Sequence, residues 1–335
     1  MILPTTYAVA LILLIFSMLC WGSWANTFKL ARNWRFELFY FDYAIGVVIA
    51  AVIAAFTFGS MGDNLTFLDN LSITGKRQMA MAFVAGGVFN LANMLLVAAI
   101  SLAGMAVAFP VGIGLALVIG VVLNYLLQPA GNPILLFSGA ILVVLAIVVD
   151  ALAYRTHGRT AGTAVKGFSL KGLIVSLVAG VLMGMFYPLV AMSTAGEIGL
   201  GPYSVAVIFS IGVLLSTFVF NLYFMNLPVQ GEPVPLMAYF RGSVRNHLLG
   251  LLGGILWCTG AVMNFAAAAA PPEVNVGPAI SYALGQGATM ISALWGLLVW
   301  KEFRGANARV RTLLTVMLVL FAAGLGAISI APLYP

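Results

Sequence analysis

The side chains able to do chemistry in this sequence are few and far apart. Its 335 residues include nine carboxylates, two histidines and two cysteines. His157, His247, Cys20 and Cys258 share no metal-ligand spacing, and no His-x-x-x-His pair occurs. A Gly-x-Ser-x-Gly elbow and a Gly-Lys-Ser/Thr phosphate loop are both missing. No resident metal or cofactor is expected, and an enzyme reading has little support.

Two carboxylates stand out because charge inside an apolar segment is costly and usually functional. Asp42 lies roughly one and a half turns inside such a segment, at 3.6 residues per turn. It reads either as a proton-coupling or gating group or as a partner of Lys29 or Arg32. Glu273 follows Pro271-Pro272 at the start of another segment, where a helix dipole favours an acid. It is the second coupling or gating candidate. Asp150 beside Arg155, Glu197, and Glu302 beside Arg304 read as interfacial; Asp63, Asp69 and Glu232 fall in loops.

Neutral polar and aromatic groups are more numerous at membrane depth. The substrate-binding candidates are Trp21, Trp24, Asn90, Asn93, Asn264, Tyr282, Gln286, Thr289 and Trp295. Tyr282, Gln286 and Thr289 step along one helical face. Trp257 and Trp295 lie too deep for interfacial anchors. Amides and hydroxyls beside aromatic planes suit a neutral ligand with a flat or ring-shaped body. The lack of a membrane-centre Lys or Arg argues against an anion.

The elements that must position these groups are apolar helices. The chain is 63% hydrophobic and 7% charged, against about 25% charged in a soluble domain. Ten continuous stretches approach the roughly 20 residues a spanning helix needs: 6–28, 37–58, 78–100, 102–126, 132–152, 169–192, 202–224, 246–268, 274–300 and 309–331. A barrel would alternate in shorter runs. Residues 1–7 lack the basic start of a cleaved signal, so the first stretch is kept as a permanent helix.

Thirteen of the fifteen Lys and Arg residues fall in the loops after the odd-numbered helices; Lys76 and Arg77 are the exceptions. The positive-inside rule makes that face cytoplasmic and puts both termini outside. No long basic run exists to track phosphates, so nucleic acid is not an expected partner.

The polar stretch near residue 160 splits the helices five and five. The expected units are 1–153, a linker at 154–168, and 169–335. Five helices is an odd number, so related halves would run in opposite directions. Gly86-Gly87-Val88 against Gly253-Gly254-Ile255, and 122–127 against 293–298, recur in the same order. Inverted repeats are a hallmark of secondary transporters. The glycine pairs read either as plain packing or as a close inner group of helices three, four, eight and nine.

Several segments resemble the ureide permease family of the drug/metabolite transporter superfamily. They are Cys20-Trp21-Gly22-Ser23-Trp24, Phe41-Asp42-Tyr43, Ala55-Phe56-Thr57-Phe58-Gly59, Ala85-Gly86-Gly87-Val88, Leu123-Asn124-Tyr125, Ser292-Ala293-Leu294-Trp295-Gly296 and Glu302-Phe303-Arg304. The family is best known from plant carriers of allantoin and pyrimidine bases; bacterial glucose and rhamnose uptake carriers are its relatives. The resemblance implies proton-linked uptake and sets Asp42, Gln286, Trp295 and Glu302 at family-like positions. The central loop is shorter than in the plant members, which implies a bacterial protein.

The expected fold is therefore all-α and integral to the membrane, with ten helices in two inverted five-helix repeats. The expected function is secondary transport of a neutral polar metabolite such as a ureide or nucleobase, by alternating access and coupled to protons. A monosaccharide–proton symporter is the alternative; a channel or a drug exporter is the alternative from another class. The expected partners are the solute, protons and the lipid bilayer of the inner (plasma) membrane, with the chain a monomer or homodimer.

Overall fold

The computed structural model describes residues 1–31, 33–62, 65–160, 169–228, 231–274 and 276–334. Ten helices in it are long and apolar enough to cross a bilayer, and no strand occurs among the described residues. They are helix one (Tyr7–Leu30), two (Phe36–Phe56), three (Lys76–Ala103), four (Phe109–Leu127) and five (Pro133–Thr160). Then come six (Leu170–Thr194), seven (Pro202–Asn226), eight (Val244–Ala268), nine (Gly277–Val299) and ten (Ala308–Leu333).

Local chemistry sets their starts. Thr6, Ser169, Ser243 and Asn307 each accept a bond from a backbone N–H of the first turn, which satisfies a donor the helix leaves open. Helices three and four are separated by Gly104, whose φ of 77° favours a residue without a Cβ.

Three boundaries differ most from expectation. Helix four opens at Phe109 rather than at 102, because helix three runs on to Ala103 and a short helix, Met105–Ala108, follows Gly104. Helix five continues to Thr160, past the expected end at 152, so the expected 154–168 linker begins as helix. Residues 161–168, with Lys166, lie outside the described residues, as do Arg32 and Asp63. Helix nine begins at Gly277, after a 3-10 turn, Pro272–Val274, that takes in the expected first residue.

Contacts sort the loops into two faces. On one, Lys29 bonds Glu302, Tyr154 bonds Glu302, and Arg35 bonds the Glu232 backbone. This is the basic face. On the other, the Met1 amine bonds Leu65 O, Asn70 bonds Gly199 O, and Asn132 N bonds Ala331 O.

Glycines bring particular helices into backbone contact. A Cβ on Gly254 would lie 1.9 Å from Tyr43 O, and one on Gly46 would lie 2.2 Å from Leu251 O. A Cβ on Gly86 would lie 2.1 Å from Phe209 O, and one on Gly212 would lie 2.2 Å from Phe83 O. In each case the oxygen belongs to the residue three before the partner glycine. The crossing of helices two and eight is thus repeated at helices seven and three. The glycines of helices three and eight draw them onto seven and two, rather than into one group with four and nine.

Helices one, two, eight and nine pack together, as do three, four, six and seven; five packs against ten. Exchanging each helix with the one five places along converts the first group into the second. That arrangement is consistent with two inverted repeats.

Helix nine is not continuous. It is α-helical over Gly277–Gly285, restarts at Ala288–Leu294, and ends in a π turn, Trp295–Val299. At the break the Gln286 carbonyl accepts from the Thr289 hydroxyl at 2.8 Å. Helix four likewise opens with a π turn, Phe109–Ile113, around Pro110, which has no N–H to give.

Candidate functional site

A cavity of about 180 Å³ lies between the two four-helix groups. Helix one supplies Trp21, Gly22, Trp24 and Ala25; helix eight supplies Trp257; helix nine supplies Gly285, Gln286, Ala288, Thr289 and Ser292. Phe89, Asn93 and Leu96 of helix three, Phe109 and Ile113 of helix four, and Met183 and Phe186 of helix six face them. The walls are aromatic. Trp21 stacks on Trp257 with ring centroids 5.9 Å apart and planes at 14°, and Phe89 lies 4.3 Å from Trp257.

The cavity's side-chain polar groups are uncharged amides and hydroxyls, with the Trp21 indole N–H already given to Trp257 O at 3.1 Å. Asn93 gives one Nδ2–H to the Tyr40 hydroxyl at 3.0 Å, leaving its carbonyl and second N–H to offer a solute. Gln286 makes no side-chain hydrogen bond among the described residues. A half-buried amide with unmet donors and acceptor, set at a break in a spanning helix, is what solute recognition needs.

Toward the face that carries Met1, the cavity ends on buried aromatic residues. Tyr187 and Tyr282 stand 5.2 Å apart, with Phe265 5.7 Å from Tyr187 and Phe186 6.1 Å from Tyr282. The Tyr187 hydroxyl donates to Asn264 Oδ1 at 2.5 Å. Asn264 Nδ2 reaches Ser281 O at 3.0 Å and Ser17 Oγ at 3.3 Å. Tyr282 donates to Ala116 O at 3.1 Å across the cleft, its ring lodged where Gly120 has no Cβ. Beyond this layer a recess of about 540 Å³ opens at that face, with Tyr187 and Phe265 in its lining.

Charged groups hold the basic end. Asp42 is 3% exposed; it accepts from the Tyr239 hydroxyl at 2.6 Å, and His247 Nδ1 stands 2.8 Å from its other oxygen. Burial, then the bond to Asp42 and its charge, push the Tyr239 phenol above its usual value, so it stays a donor. Glu302 pairs with Lys29 and accepts from Tyr154 at 2.6 Å. Burial raises its pKa, but the bonds from Lys29 and Tyr154 and the Lys29 charge outweigh that and hold it below the ordinary value. Lys29 also lies over Trp300, 4.4 Å from the ring centre.

Residues 57–329 match the family described as sugar transport protein. The chain belongs to that family. Among its relatives, ureide permease 1 of Arabidopsis thaliana is 23% identical over 93% of this chain and 94% of its own length. Ureide permease 2 of the same plant is 23% identical over 95% and 96%. The probable ureide permease A3 of Vigna unguiculata is 22% identical over 81% and 88%. One solved crystal structure, 18% identical and covering 94% of this chain and 96% of its own, superposes with a TM-score of 0.59, which shows the shared fold. This family member is a multi-pass membrane transporter of small molecules, and its relatives are permeases rather than enzymes.

Of the residues singled out from the sequence, the transporter gathers Trp21, Trp24, Asn93, Gln286 and Thr289 around the cavity. Others lie elsewhere. Asn90 donates to Val213 O, Ser216 and Thr217 within its own group. Asn264 and Tyr282 belong to the closing layer. Trp295 gives its Nε1 to Ser23 at 2.8 Å near the basic end. Asp42 does not line the cavity, and its partners among the described residues are Tyr239 and His247 rather than Lys29; Arg32 lies outside the described residues. Glu273 is exposed at the opposite face. Asp150, read as interfacial, has a buried oxygen with no hydrogen-bond partner. Phe89, Met183 and Phe186 were not foreseen; Phe186-Tyr187-Pro188, an aromatic pair before a mid-helix proline, was the available signal.

Proposed function

We propose that this family member is a secondary transporter of a small neutral polar metabolite with one flat ring, a ureide or nucleobase, working by alternating access. The observation that supports this most is the cavity itself: aromatic planes on both sides, uncharged hydrogen-bonding groups, and the unpaired Gln286 amide at a helix break. The ureide permease relatives favour the same solute class. The two inverted repeats, 1–153 and 169–335, would rock about the cavity. The layer at Tyr187 and Tyr282 closes one route, while Ala25 and Ser292, both exposed on the cavity's rim, mark the other. The basic face is cytoplasmic, the termini are outside, and the membrane is the inner (plasma) membrane.

Proton coupling is part of the proposal, with Asp42 as the carboxylate that gates the cytoplasmic end through Tyr239 and His247. A monosaccharide is the second reading, favoured by the family's description and by the aromatic walls. A thermal-shift panel of allantoin, uracil, hypoxanthine, glucose and rhamnose tests both. Stabilisation by the planar solutes supports the first; stabilisation by a sugar alone replaces it with the second. In proteoliposomes, adding the stabilising solute outside should acidify the interior, and solute uptake without acidification rejects the coupling.

A further inference from the structure

We propose that Gly260 and Gly285 set the size of solute the cavity admits, by holding the Trp21 indole back from it. The inference rests on the cavity being the solute site. Trp21 is clasped by both edges. A Cβ on Gly260 of helix eight would lie 2.8 Å from its Cδ1 and 3.0 Å from its Nε1, the pyrrole edge. A Cβ on Gly285 of helix nine would lie 2.5 Å from Cζ3 and 3.1 Å from Cε3, the benzene edge. The ring is stacked on Trp257, and its Nε1 donates to Trp257 O at 3.1 Å.

With both edges and a face filled, the open space beside the ring is the cavity. Real Cβ atoms do not approach within 3.0 Å, so a methyl on either glycine makes a neighbour move. The other atom close to Gly260 is Cys20 Cβ, at 2.9 Å, fixed next to the backbone of helix one. The indole is the mobile partner, and displacement carries it into the cavity. At about 180 Å³ the cavity is already small, below the roughly 300–1,000 Å³ of sites for drug-sized ligands. It suits a single ring with little to spare.

The two glycines are not equivalent. Gly285 lines the cavity, so a methyl there also fills it directly. Gly260 does not line it, and reaches a solute only through Trp21. Gly260 is therefore the positioning residue that isolates the effect.

The test measures cavity width without assuming a substrate. In a Cys20→Ala, Cys258→Ala background, Gln286→Cys is labelled with a small methanethiosulfonate and with a bulky maleimide. Gly260→Ala should slow the bulky reagent about tenfold or more, the discrimination a methylene makes in a close-fitting pocket. The small reagent should stay within about twofold. Adding Trp21→Phe should restore the bulky reagent. Equal slowing of both reagents, unchanged labelling of both, or no rescue by Trp21→Phe overturns the inference. Uptake of uracil against the two-ring hypoxanthine, with Gly260→Ala and without, then reads the same selection in transport. A wild-type protein that carries neither solute, nor allantoin, rejects the proposed substrate class, while the labelling result still decides the role of Gly260.

Discussion

Toward the face bearing Met1, the cavity ends on Tyr187, Tyr282, Phe186 and Phe265, all buried and uncharged. Toward the basic face its neighbours are Asp42 with His247 and Tyr239, and Glu302 with Lys29 and Tyr154. The first layer is held by neutral hydrogen bonds that cross between the two helix groups. Each is worth about 1 kcal/mol net, and more is lost when a buried partner is orphaned. The second is held by ionisable groups near water, where salt and pH act. The stability of one end should therefore respond to packing alone, and that of the other also to pH and ionic strength.

The largest effect is expected at the neutral layer. Asn264→Leu removes the partner of Tyr187, Ser17 and Ser281 at a fully buried position. It should cost about 3 kcal/mol, roughly 1 kcal/mol for each lost bond, seen as a lower melting temperature that salt does not alter. A salt-dependent loss would break the comparison. Next is Asp42→Ala, which leaves Tyr239 without its acceptor and His247 without its hydrogen-bond partner and should cost about 1–3 kcal/mol. Its melting should depend less on pH than the wild type's; an unchanged pH profile would remove Asp42 from any gate.

Tyr282→Phe deletes one hydroxyl while keeping the ring. It should cost about 1 kcal/mol and raise the accessibility of a cysteine placed at Thr289 to reagents added from the Met1 face. Unchanged accessibility would mean that packing alone closes the layer. The smallest effect is expected from Glu302→Gln, because a half-exposed ion pair is worth about 0–1 kcal/mol and is screened by salt. Native Glu302 is held below its ordinary value. Its contribution is therefore complete above the ordinary glutamate value, near 4.3, and is lost as pH falls through the lower native value. The melting difference between wild type and Glu302→Gln should shrink over that acidic window. A difference that grows there would reverse the assignment.

The ten helices were legible because apolar length and the distribution of Lys and Arg are direct consequences of the bilayer. The site was legible in part. Trp21, Trp24, Asn93, Gln286 and Thr289 were found because polar and aromatic groups at membrane depth are conspicuous. The same signal selected Asn90, Asn264 and Tyr282, which spend their hydrogen bonds on neighbouring helices. Polarity reveals depth but not direction, and only packing tells a group that binds helices from one that faces a cavity. The partners of Asp42 were hidden for another reason. Tyr239 belongs to the segment between helices seven and eight, which folds back onto helix two through contacts remote in the chain. Phe89 and Met183 carry no signal apart from the apolar background, and Phe186 carries only its place in an aromatic pair before the mid-helix Pro188.

Uptake by proteoliposomes, comparing wild type with Gln286→Ala, tests the cavity as the transport site most directly. Among the described residues Gln286 has no side-chain hydrogen-bond partner to lose, so the variant should melt as the wild type does. The account predicts saturable uptake of the solute that best stabilises the wild type, and a fall of about tenfold or more in the variant, as expected when a site built to hydrogen-bond its substrate loses the group that does so. Uptake that is unaffected in Gln286→Ala, or that rises linearly with solute without saturating, would contradict it.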